Sequence, residues 1–84
     1  MKEKQVGSIK HYYDHIGVGV VEVSGNLKTG DHIHIKGGST DFSQEVSSMQ
    51  VEHKQIDAAK KGDIVGMKVD KEVEEKDAVY KAEG

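Results

Sequence analysis

The chain has 84 residues, a formal charge of −3 and no cysteine. That length predicts one domain, with a core that hides only about 60 to 65% of the unfolded surface. A disulfide, a thiolate metal site and a catalytic thiol are excluded. All 12 basic residues are lysines, so the guanidinium fork that grips phosphate or guanine is missing. No leader-like segment and no apolar run near ~18 residues is present, which predicts a cytoplasmic protein outside the membrane.

Apolar residues recur with a period of two or in short β-branched runs, the pattern of strands. A first strand is predicted over 6–13, with Val6, Ser8, Lys10 and Tyr12 on one face and Gly7, Ile9, His11 and Tyr13 on the other. Past a turn at Asp14 and His15, "IGVGVVEV" over 16–23 carries valines on both faces and reads as a strand buried on both sides. "SGN" at 24–26 is a turn signal, and Leu27 is the apolar lid of the loop after it. In "KTGD" over 28–31, Gly30 is free to take a positive φ, and the Asp31 carboxylate accepts backbone N–H groups of the tight turn. "DHIHIK" then alternates strictly, Ile33 and Ile35 against His32, His34 and Lys36.

After the flexible "GGSTD" (37–41), the segment 42–56 places Phe42, Val46, Met49, Val51 and Ile56 at a spacing that predicts a bulge or bend near Ser47 and Ser48. "DAA" at 57–59 reads as a short helical or 3₁₀ turn. "KKGD" over 60–63 repeats the earlier phrase, with Gly62 and Asp63 in the same structural roles, and sends Val65, Met67 and Val69 to one face. "EEKD" (74–77) is the same phrase with Lys76 in the glycine's place, before a closing strand over 78–81. Six or seven short strands with polar turns close best as an antiparallel barrel, because closure removes exposed edges; an open sandwich is the alternative.

The order of these phrases, "VEVSGNLKTGD", "HIHIKG", "VSSMQVEHKQIDAAKKGDIVGMKV" and "DAVY", resembles domain 2 of the translational GTPases, the β-barrel of elongation factor Tu and the initiation factors. It is most similar to small free-standing translation elongation factor-like proteins that consist of this barrel. The resemblance covers residues 5–81. It implies an all-β, small closed six- to seven-stranded barrel over 1–84, and a non-enzymatic module contacting tRNA, the ribosome or a translation protein. The alternative is a protein–protein interaction, an accessory role beside a separate enzyme, or a homo-oligomer. No G-x-x-x-x-G-K-[ST] phosphate loop occurs, so GTP is not an expected ligand.

Candidates for RNA binding are Lys28, Lys36, Lys54, Lys60 and Lys61, with Tyr12, Tyr13 and Phe42 as stacking platforms; a solvated lysine surface over core aromatics explains the same residues. His32 and His34 lie on one strand face about 7 Å apart, a spacing that permits zinc, and His53 is a third candidate across the wall. Nothing in the sequence dictates a third ligand, so neither a metal nor a cofactor is expected. Asp31 and Asp63 are assigned to turns rather than to acid–base work, Glu72, Glu74 and Glu75 to a solvated loop, and no serine stands in a nucleophile-elbow phrase.

Overall fold

In the computed structural model, which describes residues 2–83, every regular element among the described residues is a β-strand. In chain order they are β1 (Lys2–Tyr13), β2 (Val18–Val23), β3 (Leu27–Lys28), β4 (His32–Lys36), β5 (Asp41–Glu45), β6 (Met49–Val51), β7 (Lys54–Ile56), β8 (Ala58–Ala59), β9 (Ile64–Lys68) and β10 (Ala78–Glu83). Eight form one sheet in the order β5-β4-β10-β1-β2-β9-β6-β7, while β3 pairs only with β8. All pairings are antiparallel. No helix among the described residues is long and apolar enough to cross a membrane.

One face of the curled sheet supplies the core. Period-two alternation turns Val21 and Val23 of β2, Ile33 and Ile35 of β4, Val65 and Met67 of β9 and Val79 of β10 inward, where each is almost wholly buried. Leu27, Val46, Met49, Val69 and Val73 join the same cluster from short strands and loops.

The closed barrel expected from strand number is not formed, because the backbone ladder runs linearly from β5 to β7. The bend at 46–48 explains the break. Val46 exchanges hydrogen bonds with the turn at Gly30 and Asp31 (2.9 Å each), which carries the β4–β5 pairing one bulged step further and ends it there. Two residues later the Ser48 carbonyl accepts from Lys68 N, and β6 joins β9 at the other end of the sheet. One bent segment therefore spans the seam. A side chain fills it: the Gln44 amide donates to the Lys68 carbonyl (2.9 Å) and accepts from Asp70 N (2.7 Å), two bonds that ladder partners would otherwise supply.

Two other sequence expectations are corrected. Register shifts between Gln5 and Gly7 and between Ile9 and His11 break the simple two-face pattern of β1. Val6, Ile9 and Tyr12 turn to the core as a result, while Lys10, His11 and Tyr13 face out. The segment 57–59 is not a helical turn: Ala58 and Ala59 pair with Lys28 and Leu27, so Leu27 lies in a strand rather than capping a loop.

Candidate functional site

The site is built from the repeated phrase. Gly30 and Gly62 have φ of +91° and +97°. In each turn the aspartate's Oδ2 accepts the lysine's backbone N–H at 3.0 Å, Asp31 from Lys28 and Asp63 from Lys60. The third phrase makes the same turn, with Lys76 at φ +75° and Asp77 Oδ2 accepting Glu74 N at 2.8 Å. Asp77 is buried, so its turn belongs to the core edge, whereas the first two turns open on solvent.

β3 runs directly into the first turn and β8 into the second, and these two strands pair antiparallel with Leu27 opposite Ala59. A local two-fold relation follows. Leu27 and Ala59 point inward; Lys28 and Ala58, with Asn26 and Lys60 at the same parity, point outward. Over this outer row lies a groove of about 520 Å³, walled also by Asp63 and Lys81. Lys81 is half-buried, its Nζ donating to the Asn26 carbonyl (3.0 Å) and standing 3.6 Å from Asp31 Oδ2. Lys28 and Lys60 have no ion-pair partner among the described residues, since the paired lysines are Lys10, Lys36 and Lys81.

The five lysines singled out in the sequence do not make one face. Lys28 and Lys60 share the groove, and Lys61 borders a separate hollow with Gly62 and Val23. Lys36 is held at 3.6 Å by Glu3 and lies over the Tyr80 ring, on β4 near one end of the strand order. Lys54 sits on β7 at the other end. Lys81 joins the groove from β10, and its place in that closing strand is its only signal in the sequence.

The histidines are equally dispersed. His32 lies 3.9 Å from Glu45, and His53 takes a positive φ in the β6–β7 turn. His34 is clasped by two carboxylates, Nδ1 to Glu3 at 3.0 Å and Nε2 to Asp41 at 2.5 Å. The Asp41 hydrogen bond is the main force holding its pKa above the ordinary 6.5; partial burial opposes it and Glu3 adds to it. Among the described residues no three histidine or carboxylate groups converge as a metal site. His34 faces carboxylates on both nitrogens, so it has no hydroxyl to activate.

No protein-family model matches the chain. An uncharacterized protease of Methanocaldococcus jannaschii is similar to it. The two are 40% identical over 77 residues, which is 90% of this chain but 19% of the relative, so the chain spans about a fifth of that protein's length. Two solved structures match almost end to end: the C-terminal domain of a Geobacillus thermoleovorans protein given the name U32 peptidase, and its selenomethionine variant. Their TM-scores are 0.89 and 0.86 at 22% identity, covering 95% and 90% of this chain and 93% and 96% of theirs. At that identity the likeness is one of fold.

These findings overturn the resemblance to domain 2 of the translational GTPases, because the proteins matched over nearly the whole chain carry the names of proteases. The tRNA or ribosome partner, the translational role and the expectation of a non-enzyme fall with it. The physical reason is that turn phrases and apolar parity specify a strand framework. They do not specify the surface that the framework presents.

Proposed function

We propose that residues 1–84 act as one β-domain of a U32-type peptidase, and that this domain contributes to hydrolysis by holding the polypeptide substrate. The observation that carries the reading is the 40% identity to the Methanocaldococcus jannaschii protease over 77 residues, 90% of this chain. The fold likeness to a U32 C-terminal domain supports it. Among the described residues the histidines face carboxylates, backbone turns or solvent, so bond cleavage is assigned to the remaining four-fifths or so of such an enzyme. The cytoplasm is the proposed compartment, in keeping with a chain that uses no cysteine.

The test is a graft. This chain replaces the matching segment of the Methanocaldococcus jannaschii relative, and hydrolysis of an unfolded polypeptide is compared with that of the intact relative and of a deletion lacking the segment. The deletion should lose about tenfold in kcat/KM and the graft should restore most of it. Hydrolysis unaffected by the deletion, or a folded graft no better than the deletion, would remove the reading.

A further inference from the structure

Of the surface features, the groove over β3 and β8 is the one whose chemistry specifies a ligand. Two lysines rise from its floor on one face of the strand pair. Lys28 stands opposite Ala58, and Lys60 is two residues beyond Ala58, which makes the lysines diagonal neighbours at about 7–8 Å across an antiparallel pair. Between them Ala58 contributes only a methyl group, so the floor is low where the flanks are charged. Asp31 and Asp63 pin the lysines' backbone N–H groups, which sets where the two side chains start while leaving both ammonium groups free to reach a ligand. Lys81 on the wall is matched by Asp31, 3.6 Å away, and Asp63 also lines the groove, so the positive excess comes from Lys28 and Lys60. The groove is therefore locally cationic on a chain whose net charge is −3.

An extended polypeptide repeats its side chains on one face every ~6.6–6.8 Å, close to the diagonal lysine spacing. We propose that this groove binds an extended polypeptide segment with carboxylates at alternate positions, of the form Glu-x-Glu or Asp-x-Asp, and that Lys28 and Lys60 each receive one carboxylate. The polypeptide nature of the ligand rests on the peptidase reading; the alternate acidic pattern comes from the groove itself. Adjacent acidic residues point to opposite faces of an extended chain, so only one of such a pair faces the two lysines at a time. The same groove offers no arginine for a phosphate and no exposed aromatic ring for a base among its lining residues.

The experiment is a fluorescence anisotropy titration of this chain with labelled heptapeptides. One carries Glu-Val-Glu at its centre, one Gln-Val-Gln, one Glu-Glu-Val, and an RNA heptamer is run beside them. The Glu-Val-Glu peptide should bind about fivefold tighter than either peptide control, and its advantage should vanish in the Lys28→Gln, Lys60→Gln double variant. Both side chains are exposed and their backbone bonds are retained, so the variant should fold, which a melting curve checks. Equal affinities for the three peptides, or lysine-dependent binding of the RNA in preference to them, would overturn the assignment. The graft separates the two claims. Full hydrolysis with no peptide preference would overturn the groove assignment alone, whereas an inactive graft with lysine-dependent Glu-Val-Glu binding would remove the peptidase reading and uphold the groove.

Discussion

Replacing Gln44 by Met tests whether a side chain holds the seam of the sheet. Gln44 is buried and lies on the inner face of β5, opposite Ile33, with both ends of its amide used by backbone groups near the end of β9. Met has a similar length and flexibility and fills the space without polar atoms, so the change removes two hydrogen bonds and little packing. At a net ~0.5–1.5 kcal/mol per bond, with two half-buried backbone groups left without partners, the loss should be about 2–3 kcal/mol. For 84 residues the unfolding entropy near the midpoint is roughly 0.18 kcal/mol/K, so Tm should fall by about 11–17 °C. Scanning calorimetry gives the shift, and Gln44→Glu divides it. The carboxylate keeps the acceptor for Asp70 N but has no donor for the Lys68 carbonyl until acid protonates it, so this variant should recover stability as pH falls. A Tm drop below about 3 °C for Gln44→Met, with an equally sharp transition, would show that the seam does not depend on the amide.

Two further outcomes follow from the turns and from His34. Gly30 and Gly62 have open space where a Cβ would go, so Ala at either should cost only the left-handed backbone strain, about 1 kcal/mol and equal at both, whereas Lys76→Gly should stabilise by about 0.5–1 kcal/mol in urea titrations. His34 has a raised pKa, so its contribution is complete below the ordinary 6.5 and is lost as pH rises through the folded value. Asp41, lowered chiefly by the His34 hydrogen bond, contributes above its usual 3.8 and loses that contribution as pH falls through its lowered value. Tm of the unaltered chain should therefore decline as pH rises above about 6.5, and His34→Gln should flatten that decline; the same slope in both proteins would refute the assignment.

The strands with clean alternation were legible, β4 and β9 above all, because a run of five residues with β-branched positions on one face carries its own period. The pairing of β3 with β8 was not, since strands of two residues have no period and the alanines of "DAA" favour a helical turn locally. β1 misled for a different reason: its two register shifts reverse parity without any residue type that announces them. Gln44 shares parity with Phe42 and Val46, so a polar residue on a core row was the signal of the open seam. For the groove, the repeated phrase marked Lys28 and Lys60 individually. Their coming together depends on strand pairing between residues about thirty positions apart, and Lys81 arrives from farther still.

The β1–β10 ladder has a mechanical meaning. Lys2 stands opposite Glu83 and Lys4 opposite Lys81, so the two ends of the described chain leave side by side from one end of an antiparallel pair. A pull applied across those ends acts along the hydrogen bonds rather than along the strands, and loads them singly, in sequence from the ends inward. The fold would open like a zipper under small force when tugged at its ends, while a load applied between β1 and the far edge of the sheet would meet several ladders at once.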